Sequence, residues 1–232
     1  MQSQHQSTDE GRVALAELCQ RYWYPLFAYV RSLGHDFHLS QELTQGFFER
    51  LVEKNYVGDA DPARGKFRTF LLTLLTNFLA NEYDKRTALK RGGARKQLSL
   101  EWEDAERRFA IEPSTADSPA ARFEEQWARS LLDRIIEQVR QSYIDAGKAQ
   151  LFENIKQYLD GSETESAATI GARLGMREAA VRVAAHRLRA KYRELLRAEI
   201  TSTVFHPSEV DDEIAALFAA FSRKEKNFPK KM

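Results

Sequence analysis

Cysteine is almost absent from this sequence, in which Cys19 is the single one. A disulfide within the chain is therefore excluded, and so is a zinc site built from cysteine ligands. The five histidines also form no cluster with the spacing of metal ligands, and only His35 and His38 lie close together. We expect neither a metal nor any other cofactor.

Long apolar runs are missing as well. The longest, FLLTLLTNFLA from Phe70 to Ala80, is too short to cross a bilayer and is interrupted by two threonines and an asparagine. The N-terminal residues MQSQHQSTDEGR are polar and lack the apolar core of a signal peptide. We therefore expect a cytoplasmic protein without a membrane partner.

The alternation typical of β-strands is nearly absent, whereas a 3.6-residue apolar period recurs in almost every segment. This pattern predicts an all-α fold. Without strands there is no strand that a glycine-rich phosphate loop could follow, and no catalytic constellation is recognisable, so we expect no enzymatic activity. The predicted helices cover about 11–33, 38–55, 66–90, 119–145, 149–160, 164–174, 178–201 and 208–222.

Charge is distributed unevenly although the net charge is only +1. Residues 64–96 contain nine lysines or arginines against two acids, and residues 173–199 contain eight against three. Residues 101–137 reverse this balance, with ten acids against five arginines. Two basic blocks separated by an acidic one indicate two surfaces that meet the same polyanion.

The stretch EPSTADSPAA, residues 112–121, is the best candidate for a linker, because it is rich in Ser, Pro, Asp and Ala and the charge changes sign around it. Ser118 and Pro119 then provide an N-cap and a first helical residue. The predicted organisation is an N-terminal tail (1–11), a helical domain (12–96), an acidic linker (97–121), a second helical domain (122–203), and a C-terminal amphipathic helix with a basic tail (204–232).

The second domain carries the spacing of a helix-turn-helix. Gly175 lies between two helical stretches, Gly171 is small enough for close helix crossing, and Val181 is placed to fill the core between them. SETE, residues 162–165, fits a capping box at the start of the first helix. The alternative is an ordinary helical hairpin with a glycine turn and no DNA-binding role.

The spacing of residues in the helix after this turn predicts a basic stripe beside an apolar one. Apolar residues recur at Val181, Ala185, Leu188, Tyr192 and Leu195, and basic residues at Arg182, His186, Arg189, Arg193 and Arg197. Residues early in the helix would reach base edges, namely Arg177, Glu178 and Arg182. Later ones would meet phosphates, namely Arg187, Arg189, Lys191 and Arg193.

Three segments of the first domain, read with this helix-turn-helix, resemble a known family. They are QRYWYPLFAYVRSLGHD (20–36), LSQELTQGFFERLVE (39–53) and FRTFLLTLLTNFLANEYDKR (67–86). In this order they resemble region 2 of bacterial sigma-70-type factors of the extracytoplasmic-function group, and VRVAAHRLRAKYRELL resembles the end of region 4. The resemblance covers about residues 12–96 and 125–200.

This resemblance implies a sigma factor that brings core RNA polymerase to promoter DNA, with an anti-sigma factor or another regulator as a further partner. The first domain would melt and hold the −10 element, and the helix-turn-helix would read the −35 duplex. His186 belongs to the residues expected to contact the −35 DNA. The polymerase-binding residues that it implies are Glu42, Leu43, Gln45, Phe48 and Glu49. Those for the −10 strand are Phe67, Arg68, Asn77, Asn81, Lys85, Arg86, Lys90 and Arg91.

Two alternatives remain open at this stage. One is a helix-turn-helix regulator that never joins polymerase, and the other is a helical interaction protein that does not bind DNA. The helix predicted near residues 208–222 adds a further choice, because its apolar face would either pack on the C-terminal domain, which we favour, or belong to a regulatory helix over the basic face.

Overall fold

The computed structural model describes residues 19–54, 66–88, 102–111, 118–162, 164–204 and 206–222. Within these ranges the chain is helical and contains no strand, which confirms the predicted all-α fold. The predicted N-terminal tail and the basic tail after residue 222 lie outside the described residues. Across the described ranges, none of the helices combines the length and the apolar character needed to cross a membrane.

The helices follow the predicted positions closely, except that the helix at Trp102–Ile111 is additional and the single helix predicted at 149–160 is divided in two. The first, α1, is described over 19–32. The others are α2 Phe37–Lys54, α3 Phe67–Ala88, α4 Trp102–Ile111, α5 Pro119–Asp145, α6 Ala149–Ile155, α7 Gln157–Asp160, α8 Ala167–Leu174, α9 Glu178–Thr201 and α10 Val210–Ser222, the last preceded by a 3-10 turn at Pro207–Glu209.

Side-chain caps explain where two of these helices begin. The backbone N–H of Leu39 donates to the Asp36 carboxylate at 2.8 Å, which satisfies one of the free donors at the start of α2. At α5, the N–H of Ala121 donates to the Ser118 hydroxyl at 3.2 Å, and Pro119 is the first helical residue. The predicted Ser118 cap is therefore confirmed.

The chain divides into two compact units. One consists of residues 1–130 together with 203–232, and the other of residues 131–202. The first division therefore falls within α5, later than the predicted linker at 97–121. The second division falls near Thr203.

Aromatic side chains dominate the core of the first unit. Phe27 of α1 is fully buried and meets the ring of Trp102 at a centroid distance of 5.7 Å. Phe47 of α2 meets Phe78 of α3 at 5.8 Å. Leu71, also fully buried on α3, belongs to the same buried set. Burial of such side chains contributes about 1.5–3 kcal/mol each, so α1, α2 and α3 are held mainly by these contacts.

Helix α4 lies within the segment predicted as an acidic linker, and here the structure differs from the prediction. Trp102 and Ala105 are buried in the same cluster as Tyr24 and Phe27. Glu106 accepts two hydrogen bonds from the Arg31 guanidinium, at 2.7 and 3.0 Å. The acidic composition concealed an amphipathic helix, because three apolar residues, Trp102, Ala105 and Phe109, form its packing face among charged neighbours.

The core of the second unit is aliphatic. Ile135 and Val139 of α5 are fully buried, as are Ile155 of α6, Ile170 of α8 and Leu188 of α9. These five residues come from four helices that surround one interior. Because α8 and α9 both contribute side chains to this interior, the same packing fixes the turn between them.

Helix α10 belongs to the first unit, not to the C-terminal domain on which it was expected to pack. Its Glu213 carboxylate lies 2.8 Å from the Lys66 ammonium, directly before α3. Val210 and Leu217 of the same helix are buried. The expected amphipathic face is therefore present, but the expected packing partner was wrong.

Candidate nucleic-acid interface

The helix-turn-helix begins at a cap that differs from the predicted one. Ser166 precedes α8 in an extended conformation, and its hydroxyl accepts a hydrogen bond from the Thr169 N–H at 3.1 Å. The predicted capping box at 162–165 is wrong, because α8 starts later, at Ala167. Glu165 instead accepts from the Arg173 guanidinium at 2.6 Å, which links the two ends of α8.

Two glycines shape the turn between α8 and α9, as the spacing predicts. Gly175 has φ +66°, a left-handed conformation that suits glycine, and it ends α8. Gly171 faces the incoming chain so closely that a Cβ on it would lie 2.6 Å from the Met176 carbonyl oxygen. The Met176 N–H donates to the Gly171 carbonyl at 2.8 Å, which closes the turn.

Helix α9 places its apolar and basic residues on different sides. Val181, Ala185 and Leu188 are buried, as predicted. The buried stripe then continues through Leu196 and not Leu195, with Tyr192 half-buried. The exposed residues of the interface are Arg177, Glu178, Arg182, His186, Arg187 and Arg193. This exposed, mostly basic side of α9, after a tight turn, is the surface that the sequence predicts to meet DNA.

Arg182 and Glu178 form an ion pair in the first turn of α9. The Arg182 guanidinium donates to one Glu178 carboxylate oxygen at 2.6 and 2.9 Å. Arg182 remains 72% exposed, so this pair stands in solvent and contributes little to stability. A carboxylate beside an arginine presents an acceptor and a donor together, which is the combination that discriminates between base edges.

Arg189 serves a structural contact that the sequence did not indicate. Its Nε donates to the Tyr158 carbonyl at 2.8 Å, and its guanidinium lies 5.6 Å from the Tyr158 ring. The side chain thereby links α9 to α7 and is only half-exposed. We expected Arg189 to meet a phosphate, but part of its donor capacity is already used within the protein. Lys191, also half-exposed, pairs with Glu194 at 3.2 Å.

The residues expected to contact the −10 strand divide into several groups. Asn77 and Asn81 are exposed on α3, one turn apart, and the Asn81 amide donates to the Asn77 carbonyl at 2.8 Å. Phe67 is half-buried against Tyr22 at 5.8 Å. Lys85 is exposed and pairs with Glu82 at 2.9 Å. The side chain of Arg86, as well as Lys90 and Arg91, lies outside the described part of the chain.

Arg68 departs from the expected exposed position. It is only 6% exposed, and its Nε donates to the Glu124 carboxylate at 2.7 Å. The guanidinium also lies 4.2 Å from the Trp127 ring centroid and contacts Glu213. In this conformation Arg68 is unavailable to a nucleic acid, because three side chains surround its charge.

The residues implied for polymerase binding occupy both sides of α2. Glu42 is exposed and Glu49 is half-exposed. Gln45 is 7% exposed, and its amide donates to Glu49 at 3.2 Å. Leu43 and Phe48 are core residues, at 4% and 0% exposure. The accessible part of this predicted surface is therefore the pair of carboxylates, with Gln45 supporting one of them.

Lys66 was not singled out from the sequence, although it belongs to the basic block. It precedes α3 and pairs with Glu213. Burial, followed by the neighbouring Arg68 charge, lowers the pKa of Lys66, and Glu124 and Asp212 oppose that shift. The sequence feature that could have identified Lys66 is its position directly before Phe67 and Arg68.

Among the described residues, no three His, Cys, Asp or Glu side chains lie together as they would in a metal site. No model of a protein family matches the chain, and neither a curated protein nor a solved structure matches it. The functional conclusion therefore depends on the geometry of the two units themselves.

Proposed function

We propose that this protein is a sigma-type subunit that joins core RNA polymerase and directs it to specific promoters. The observation that carries the proposal is the α8–α9 turn, in which Gly171 allows a close approach of the chain and Gly175 ends α8. The long helix α9 that follows packs its apolar residues inward and leaves basic residues exposed. This arrangement supports recognition of duplex DNA, which we assign to the −35 element.

Two features of the first unit support the choice of a sigma factor over a general DNA-binding protein. Asn77 and Asn81 display amides on an exposed helix face, and amides hydrogen-bond to unpaired bases. On α2, Glu42 and Glu49 lie seven residues apart, which is two helical turns, so both carboxylates share one side. That acidic side is our proposed polymerase contact.

The experiment is co-elution of the purified chain with core RNA polymerase from its own source on a sizing column. We expect the wild-type chain to co-elute and the Glu42→Lys/Glu49→Lys variant to elute alone. Glu137→Lys is the matched control, because it reverses the charge of a side chain that is 62% exposed in the other unit. It should co-elute like the wild type.

A transcriptional regulator that never joins polymerase is the second candidate. The burial of Arg68 favours it, because one residue expected to hold the melted strand is enclosed in the first unit. A folded chain that ignores core polymerase but binds duplex DNA would replace the sigma proposal with this one. Binding of neither polymerase nor DNA would exclude both candidates.

A further inference from the structure

Helix α10 buries a carboxylate in the middle of its apolar face. Val210 and Leu217 are 2% and 0% exposed, and Glu213, between them on the same side, is 3% exposed. An acidic side chain is almost never fully buried unless it is paired. The position of Glu213 therefore has to be explained by what it meets in the first unit.

Glu213 meets the two cations at the start of α3. One carboxylate oxygen lies 2.8 Å from the Lys66 ammonium, and the other contacts the Arg68 guanidinium. Arg68 also pairs with Glu124 of α5 at 2.7 Å. Two cations are thus neutralised by two carboxylates, and one of those carboxylates comes from α10.

We propose that α10 is an intramolecular competitor of single-stranded nucleic acid, with Glu213 occupying the place of a phosphate on Lys66 and Arg68. This inference rests on the proposed function, because the family resemblance places Phe67 and Arg68, at the start of α3, on the melted promoter strand. Carboxylates and phosphates make the same charge-assisted hydrogen bonds to arginine and lysine. Departure of α10 leaves Lys66 and Arg68 opposite Glu124 alone, with a net positive charge.

The attachment of α10 is suited to release. The helix has 13 residues, and an isolated helix of this length is marginal in water. Its hold depends on a few apolar side chains and on an ion pair whose desolvation cost offsets much of its attraction. The acidic side chains that precede or begin α10, Glu209 and Asp212, add to the field at Lys66. A nucleic-acid strand that displaces Glu213 from Lys66 and Arg68 would therefore open the strand-binding surface.

The test uses the full chain and the variant Glu213→Lys, which places a like charge against Lys66 and Arg68. Its matched control is Asp211→Lys, an identical charge change at an exposed position two residues earlier. Hydrogen exchange of residues 210–222 reports the attachment of α10. A labelled oligothymidylate, titrated over a series of salt concentrations, reports strand binding.

We expect Glu213→Lys, but not Asp211→Lys, to lose exchange protection in α10. The variant should bind the oligonucleotide about tenfold more tightly than the control at low salt. Its plot of log affinity against log salt should be steeper by about 0.7 to 1.4, since one or two more phosphates are contacted on a single strand.

Two results would overturn the inference. One is α10 released in Glu213→Lys with oligonucleotide affinity equal to that of Asp211→Lys. The other is full protection of α10 both in Glu213→Lys and in Leu217→Asp, which buries a charge on the same face. Neither result affects the proposed function, which the co-elution with polymerase decides. Conversely, loss of co-elution with both binding arms intact would refute the sigma proposal alone.

Discussion

The close approach at Gly171 predicts that alanine, the better helix former, destabilises the protein at this position. A Cβ there would lie 2.6 Å from the Met176 carbonyl oxygen and 3.5 Å from the Glu178 nitrogen. Ordinary contacts of this kind begin near 3.4 Å. The turn would therefore have to open by about 0.8 Å, against close packing and against the hydrogen bond from the Met176 N–H to Gly171.

The size of the effect follows from two opposing contributions. Overpacking of a filled site costs about 1–3 kcal/mol. Exchange of glycine for alanine in a helix gains about 1 kcal/mol. The obstructing atom belongs to the backbone and cannot rotate away, so the cost falls at the upper end of its range. We expect Gly171→Ala to lower the free energy of unfolding by about 2 kcal/mol.

Urea unfolding measures this loss, and two spectroscopic signals assign it to a unit. The three tryptophans, Trp23, Trp102 and Trp127, all lie within the first unit. The circular dichroism midpoint should therefore fall more than the tryptophan fluorescence midpoint. Gly175→Asn is the control, because asparagine tolerates the left-handed conformation and nothing lies within 4 Å of a Cβ at Gly175. Its loss should stay below about 1 kcal/mol.

A stabilised Gly171→Ala variant would refute this reasoning. It would mean that helix propensity outweighs the contact with Met176 and that the turn has room to spare. The α8–α9 angle would then not be fixed by Gly171, and the exposed face of α9 would lose its main structural support as a recognition surface.

Further predictions concern α9. Arg182→Ala should change promoter preference and cost about 1–3 kcal/mol on the preferred sequence, whereas Arg193→Ala should weaken all duplexes evenly and reduce the salt slope by about 0.9, measured by titration of several sequences. Equal effects of the two changes on every sequence would contradict this division. Burial, reinforced by the Asp133 charge, raises the pKa of Tyr192 from 10.0 to about 12. Between these two pH values the folded chain keeps a proton that the unfolded chain releases. The free energy of unfolding should therefore fall as the pH rises from 10.0 to about 12. Urea unfolding of Tyr192→Phe should show a smaller fall.

The second unit was the more predictable from sequence, because its signals are local. The glycine spacing placed the turn, and the apolar period placed α9 at residues 178–201, which the structure confirms. The remaining errors are also local. Ser162 and Ser166 are both capping residues by type, and only the helix start decides between them. Leu195 and Leu196 differ by 100° around α9, and the packing selects Leu196.

The first unit was less predictable, because its key contacts join distant segments. The periodicity of α10 showed which face would be buried but not which helices would cover it. Arg68 belongs to a basic block, and charge patterning alone suggests exposure. Its burial depends on Glu124, Trp127 and Glu213, three residues far along the chain. Pairing between residues this far apart in the chain cannot be recognised from a short segment of sequence.

The place of α10 in the first unit has a consequence for synthesis. Lys66, Arg68 and Trp127 leave the ribosome well before Glu213 does, because α10 is the last described helix of the chain. Domains fold largely in the order in which they are made, but this unit receives two of its buried apolar residues, Val210 and Leu217, from its final helix. The nascent chain therefore passes through a stage in which the second unit is complete and the basic start of α3 is still open.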